Sequence, residues 1–247
     1  MYNPYSLDGK TILITGASSG IGRATAVECT KLGARVVITG RNKERLLQTY
    51  EQLEGVGHKW IIADLSIPEG IEALVDQMPQ IDGLVNNAGI SNTKPIGFIS
   101  TEDLENTFTT NVYAPILLTK ALLKKKKINK GASIVFVSSA ASINPDVANS
   151  VYSATKAAIA SFSRSCAKEF AAKSMRSNSV HPGMVETELV RGLVFSEEEI
   201  EHDRARYLLK RYGKPEEVAW AIIYLLSDAS AWITGTQLII DGGVLLK

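Results

Sequence analysis

Seven short runs rich in β-branched and other apolar residues alternate with helical patterns from one end of the chain to the other. No other feature restricts the fold as much. The runs are TILIT (11–15), RVVIT (35–39), WIIA (60–63), GLV (83–85), SIVFVS (133–138), SNSV (177–180) and QLIID (237–241). Most are nearly continuous apolar stretches, as expected of strands covered on both faces. Helical patterns lie between them at 21–33, 43–54, 69–78, 101–127, 152–172 and 215–227. Strand alternating with helix implies right-handed βαβ crossovers and therefore an α/β fold with a parallel, doubly wound sheet. With 247 residues, 45% of them hydrophobic and 21% charged, the chain suffices for one such domain over 1–247, and no low-complexity linker divides it. The segment 186–212, which carries SEEEIEHDRARYLLKRYG, is charged and weakly amphipathic. It reads either as a mobile flap over a site or as a helical excursion on the surface.

The bulk composition excludes several classes of function. Twenty-seven basic residues against 26 acidic ones give +1, without a bias toward nucleic acid or an anionic membrane. The N-terminus, MYNPYSLDGK, lacks a basic segment followed by an apolar one, and no run of apolar residues is long enough for a membrane span, so a cytoplasmic protein is expected. Cys29 and Cys166 are too isolated for a disulfide framework, and His58, His181 and His202 show no ligand spacing, so no metal site is expected.

The run TGASSGIGRA (15–24) leaves the first strand and enters a helix, which puts its glycines at the carboxyl edge of the sheet, where open α/β sheets bind ligands. Gly16 permits the tight turn, Gly20 allows backbone to approach a pyrophosphate, and Gly22 lets the new helix pack closely. The N-terminus of that helix offers free N–H groups and a positive dipole end to phosphates. After the second strand an acidic residue would bond a ribose 2'-hydroxyl, but this chain has Gly40 and Arg41. A guanidinium there favours a 2'-phosphate, so NADP(H) is preferred and NAD(H) is admitted. Asp64, at the end of WIIAD, either faces the adenine or caps the next segment.

Tyr152 and Lys156 lie four residues apart in VYSATKAA, on one face of a helix, and among the eight tyrosines only Tyr152 has a lysine at this spacing. TGASSGIG (15–22), ADL (63–65), LVNNAG (84–89), Asn111, VSSA (137–140), Tyr152 with Lys156, HPGMVET (181–187), KPEEVA (214–219) and ITGTQLIIDGG (233–243) follow one another in the order found in a known family. On these motifs the chain resembles the single-domain short-chain dehydrogenase/reductases over essentially its whole length, in pattern nearest to 3-oxoacyl-(acyl-carrier-protein) reductase-like members.

The resemblance implies a Rossmann-type sheet of seven strands with helices on both faces, a nicotinamide cofactor, and a catalytic set at Asn111, Ser139, Tyr152 and Lys156. Ser139 is chosen over its neighbour Ser138 because it stands thirteen residues before the tyrosine. The same comparison puts the cofactor against Gly16, Ser18, Ser19, Gly20, Ile21 and Gly22, against Arg41, Asp64 and Leu65, and against Asn87, Ala88 and Gly89. Pro182, Gly183, Val185 and Thr187 would flank the nicotinamide, while Tyr152 and Lys156 hold its ribose. Many NADP-preferring relatives carry a basic residue where this chain has Ser19, so the NADP preference rests on Arg41. A tyrosine near pKa 10 becomes a useful proton donor when positive charges from Lys156 and the oxidised nicotinamide ring lower it. Ser139 would polarise the carbonyl, and Asn111 would hold the water that resupplies protons through Lys156.

The expected activity is hydride transfer between nicotinamide and a carbonyl or secondary alcohol, with a 3-oxoacyl thioester as first choice. A hydroxysteroid or other secondary-alcohol dehydrogenase and a non-catalytic NADP-binding regulator are the alternatives. Ile90, Ile96, Phe98, Ile143, Val147, Met184, Leu189, Leu193 and Phe195 would give the substrate an apolar pocket. LLKKKKINK (122–130) with Lys173 reads as a solvated helix end or as a basic rim for an acyl carrier protein. Relatives commonly form homotetramers or dimers through the helices 101–127 and 152–172 and the last strand, and the same is expected here.

Overall fold

The apolar runs pair as parallel strands in the computed structural model, which describes residues 2–187 and 196–246. β1 (Thr11–Thr15), β2 (Arg35–Gly40), β3 (Lys59–Ile62), β4 (Ile81–Asn86), β5 (Ile128–Val137), β6 (Arg176–Pro182) and β7 (Gln237–Ile240) form one sheet in the order β3-β2-β1-β4-β5-β6-β7. Every ladder is parallel. The chain winds outward from β1 to β3, then returns to β4 beside β1 and winds outward the other way. The carboxyl ends of β1 and β4 therefore diverge into a crevice.

Eight α-helices are present among the described residues: α1 (Gly20–Lys31), α2 (Lys43–Tyr50), α3 (Pro68–Gln77), α4 (Thr101–Phe108), α5 (Ala114–Lys124), α6 (Ser150–Phe170), α7 (Glu197–Arg204) and α8 (Pro215–Leu226). The strands are apolar throughout because successive residues serve different cores. Ile12, Ile14, Val36, Ile38, Val135 and Val180 pack with α1 and α8, whereas Leu13, Val37, Ile134 and Phe136 pack with α3, α5 and α6. Each such isoleucine or leucine, removed from water, stabilises the fold by about 1.5–3 kcal/mol before entropy is counted.

The helix expected over 101–127 is three pieces. Between α4 and α5 lies a π-helical turn, Thr109–Tyr113. Pro115 has no N–H to return to the carbonyl of Asn111, so the α-helical ladder cannot continue and one wider turn takes its place. At the other end α5 stops at Lys124, and Lys126 takes a left-handed conformation (φ 55°). β5 then begins at Ile128, five residues before the apolar run suggests.

Lys125 pairs with Asp76, and Lys127 donates to the Met78 carbonyl at 2.5 Å. The lysines of 122–130 thus sit where α5 ends and β5 begins, and Lys173 follows α6 at the start of β6. Both positions are at the amino edge of the sheet. Within one chain they lie at the opposite edge of the sheet from the crevice. No helix of the described residues is long and apolar enough to cross a membrane.

Candidate active site

The turn after β1 is built on two left-handed glycines, Gly16 (φ 64°) and Gly20 (φ 52°). A Cβ on Gly22 would stand 2.3 Å from the Gly16 carbonyl oxygen and 2.5 Å from Asn87 Nδ2, so the start of α1 packs directly on the turn. Asn87 is what it packs on: its amide donates to the carbonyls of Thr15 (3.0 Å) and Gly16 (3.1 Å). Thr15 Oγ1 in turn accepts from the backbone of Asn87 and Ala88, both at 3.0 Å. The side chain of Asn87, expected to line the adenosine, is thus also the fastener between the turn and β4.

Ser19 is the N-cap of α1, yet its side chain makes no capping hydrogen bond, and no acidic residue occupies the first turn. The leading N–H groups and the positive end of the helix dipole are left for a phosphate. Arg23 does not reach the crevice, since it donates to the Ser18 carbonyl at 2.6 Å and to Thr49 at 3.1 Å, bracing the turn from behind. An uncapped helix start above a glycine cradle fits a dinucleotide pyrophosphate.

Arg41 is exposed just beyond β2 and lines the same cavity. Asp64 accepts from Ser66 Oγ at 2.6 Å and from Ser66 N at 2.9 Å. The Ser66 hydroxyl holds the Asp64 carboxyl below its ordinary range, and the Arg41 guanidinium adds to this. Both readings of Asp64 therefore coexist: it closes the turn before α3 and it faces the cavity.

The two serines after β5 divide their tasks. Ser138 is buried, and its hydroxyl donates to the Lys156 carbonyl at 2.8 Å, which fastens α6 to the strand. Ser139 caps a short 3-10 turn, Ala140–Ser142, and its Oγ accepts from Ala141 N at 3.1 Å. With that lone pair engaged, the one hydroxyl proton is free to point outward, where the Ser139 hydroxyl meets Tyr152. Burial pushes the Tyr152 phenol above its usual value, and the bond from Ser139 offsets part of this.

Lys156 is buried, with Nζ 2.8 Å from the Val137 carbonyl and 5.6 Å from the centre of the Tyr152 ring. Burial pushes its ammonium down to about 8. Its folded pKa lies below the unfolded one, so from pH 8 upward the unfolded chain holds more protons and stability rises with pH; below 8 the cost of the buried charge is constant. Urea unfolding without added nucleotide is expected to show a gain of about 2 kcal/mol between pH 8 and 10 that Lys156→Met lacks. Equal slopes for the two proteins would contradict this origin.

Asn111 is buried in the π-helical turn, its Oδ1 accepting from Ile90 N (2.8 Å) and its Nδ2 donating to Ile90 O (2.9 Å) and Thr155 Oγ1 (3.1 Å). A Cβ on Gly89 would lie 3.1 Å from Asn111 Oδ1 and 3.4 Å from Lys156 Nζ, so both residues flank Gly89. Asn111 itself stands behind the cavity wall.

One cavity of about 1080 Å³ joins these pieces along the carboxyl edge. Gly16, Ser18, Ser19, Gly20, Ile21, Arg41, Asp64, Leu65, Asn87, Ala88, Gly89, Ser139, Tyr152, Lys156, Pro182, Gly183, Val185 and Thr187 all line it. Gly22 and Asn111 do not; they act from the layer behind. Thr187 reaches back to the glycine turn, its Cγ2 3.1 Å from where a Gly20 Cβ would be.

The far end is more polar than the sequence suggests. Of the apolar residues expected there, Ile90, Val147 and Met184 line the cavity. Ile96, Phe98 and Ile143 are exposed outside it, and Leu189, Leu193 and Phe195 lie outside the described residues. Asn144, Asp146, Asn149, Glu199, Asp203 and Arg206 were not anticipated and line it instead. Arg206 bridges Asp146 (2.8 Å) and Asp203 (2.9 Å), and buried Tyr207 accepts from Met184 N at 3.0 Å. Of the expected flap, 186–212, residues 196–212 are thereby fastened against the cavity, Thr187 lines it, and 188–195 lie outside the described residues.

The profile of a family described as enoyl-(acyl carrier protein) reductase matches residues 16–245. An L-xylulose reductase of Caenorhabditis elegans is 36% identical over 97% of each chain. A 3-oxoacyl-(acyl-carrier-protein) reductase of Thermotoga maritima is 35% identical over 97% of this chain and 99% of its own. A crystal structure from Beutenbergia cavernae, described as a candidate NAD(P)-dependent gluconate 5-dehydrogenase with NADP bound at low occupancy, superposes with a TM-score of 0.90 at 31% identity, covering 99% of this chain and all of the other.

Proposed function

The chain belongs to the short-chain dehydrogenase/reductase family of oxidoreductases, and we propose that it moves hydride between NADP(H) and a carbonyl or secondary alcohol, with Ser139, Tyr152 and Lys156 as its reaction centre. The observation that carries this reading is the placement of these three side chains in the same cavity as the uncapped, glycine-lined start of α1.

Gly16, Ser18, Ser19, Gly20 and Ile21 would hold the pyrophosphate, with Gly22 supporting them from behind. Arg41 would take the 2'-phosphate, and Asp64, Leu65, Asn87, Ala88 and Gly89 the adenosine. Pro182, Gly183, Val185 and Thr187 would flank the nicotinamide. When bound, the cofactor supplies the hydride and, once oxidised, a positive ring.

The rest falls to the chain's own groups. Ser139 donates its outward proton to the substrate oxygen and polarises the carbonyl. Tyr152 hands its phenol proton to that oxygen as negative charge develops. Because burial alone holds the phenol up, lowering it by ~2–3 units requires about 3–4 kcal/mol of help from positive charge. Lys156, still protonated at neutral pH, gives its share from 5.6 Å. Both amide protons of Asn111 are spent on Ile90 and Thr155, so the water it would hold toward Lys156 must donate to it, to its backbone carbonyl, which Pro115 cannot bond, or to the second lone pair of Oδ1.

A 3-oxoacyl thioester is the first substrate class proposed, supported by the motif pattern and the Thermotoga maritima relative. A small polyhydroxylated ketone is the second, favoured by Asn144, Asp146 and Asn149 at the far end. NADPH oxidation over a panel of 3-oxoacyl thioesters, sugars and steroids tests this: turnover of one class selects it, while binding without turnover on any would indicate a regulator.

Arg41→Ala is expected to weaken NADPH about 10- to 100-fold while leaving NADH within about twofold, as loss of a charge-assisted contact to one phosphate predicts. Equal losses for both cofactors would dismiss the NADP preference. Homotetramer or dimer formation and a cytoplasmic location belong to the same proposal; the exposed small residues Ala154, Ala157 and Ser161 on α6 support close approach of a second copy.

A further inference from the structure

A line of polar side chains runs behind Ser139 and has no part in the scheme above. The Ser139 carbonyl accepts from Ser142 Oγ at 2.6 Å as well as from Ser142 N at 3.0 Å. Ser142 Oγ is also 2.9 Å from His181 Nδ1, and His181 Nε2 is 2.9 Å from Ser179 Oγ. The His181 ring is fully buried at the end of β6.

Proton counting fixes the directions. The 2.6 Å separation assigns the single Ser142 hydroxyl proton to the Ser139 carbonyl, so Ser142 Oγ can only accept from the ring. Nδ1 is therefore the protonated nitrogen, and Nε2 accepts from Ser179. Burial, which pushes this imidazole below its usual value, agrees with a neutral ring. The sequence carries one signal, the histidine directly before the Pro182–Gly183 pair.

We propose that Ser142 and His181 are positioning residues for Ser139: together they clamp its carbonyl, fix the 3-10 turn, and so aim its hydroxyl proton at Tyr152 and the substrate oxygen. A turn of three residues with two alanines has little else to hold it, and Ser139 Oγ depends on that turn, because it accepts from the N–H of Ala141. A serine donor misplaced by a fraction of an ångström loses effect where developing charge must be met in place. Ser142 and His181 touch neither substrate nor cofactor in this scheme, and their contribution passes entirely through Ser139.

The inference rests on the role given to Ser139, so the experiment measures both. Ser139→Ala is expected to lower kcat about a hundredfold. Ser142→Ala, which leaves a third alanine in the turn, is expected to lower kcat about tenfold with the KM for NADPH unchanged. In the Ser139→Ala background the Ser142→Ala change is expected to alter kcat less than about twofold, because the hydroxyl it aims is gone. His181→Asn, whose amide can donate from the place of Nδ1, should stay within about threefold of the unsubstituted enzyme, whereas His181→Leu falls about tenfold.

An equal loss from Ser142→Ala in both backgrounds, or no loss in the first, overturns the positioning role while leaving the Ser139 reading intact. No loss from Ser139→Ala overturns both. If His181→Leu does not fold, the Ser142 pair decides alone.

Discussion

Tyr152→Phe is expected to lower kcat by about a hundredfold to ten-thousandfold while NADPH binds within about twofold of its original affinity. The substitution removes one oxygen and keeps the ring, so the packing that holds α6 against β5 stays. Ser139 still polarises the carbonyl, but no neighbouring group can give up a proton in its place. Lys156 is turned to the Val137 carbonyl, and the Asn111 amide is committed to Ile90 and Thr155. Steady-state turnover of a ketone substrate, with fluorescence titration of NADPH alongside, separates chemistry from binding. A kcat within tenfold of the original would remove Tyr152 from the mechanism.

Gly22→Ala is expected to cost the fold heavily. The added carbon would meet a backbone carbonyl at 2.3 Å and the Asn87 amide at 2.5 Å, neither of which is the loose end of a flexible chain. Relief requires moving α1 off the turn or expelling Asn87, which releases its bonds to Thr15 and Gly16. Overpacking of this kind costs about 3 kcal/mol, at the upper end of its range, and lowers Tm by about 6–12 °C for a chain of this size. NADPH affinity should fall at least about tenfold, since the N–H groups at the start of α1 would no longer converge. A Tm within about 2 °C of the original would mean that the turn yields where the structure has it rigid.

The order of strands and helices was open to reading because it depends on local pattern. Ile12 and Ile14 serve one core and Leu13 the other, and that division forces the unbroken apolar runs from which the parallel sheet was inferred. Helix ends were less legible. Pro115 does mark the break in the 101–127 pattern, but the bonds that hold the Asn111 side chain, to Ile90 and to Thr155, join segments 21 and 44 residues away that no local pattern records. The crevice at the carboxyl edge was legible for a similar reason: Gly16, Gly20 and Arg41, which line it, follow directly from the ends of β1 and β2.

The far end of the cavity was not legible, since its walls come from segments far apart in sequence. Arg206 meets Asp146 across sixty residues, and no periodicity records such a contact. Residue type misled there too: Ile96 and Phe98 look like pocket lining and are exposed outside the cavity. The lysines of 122–130 were ambiguous until the direction of β5 put them at the opposite edge.

The fastening of the glycine turn by Asn87 also bears on the order in which the chain can complete its parts during synthesis. Thr15, Gly16, Gly22, Asn87 and Ala88 all emerge within roughly the first third of translation, and β1 finds both of its sheet neighbours, β2 and β4, in the same stretch. A nascent chain folding from its N-terminus can therefore assemble the nucleotide seat early. The reaction centre has no such option. On the proposed assignment Ser139 is not clamped until His181 leaves the ribosome, so the proposed dinucleotide seat is synthesised well before the group proposed to aim its chemistry.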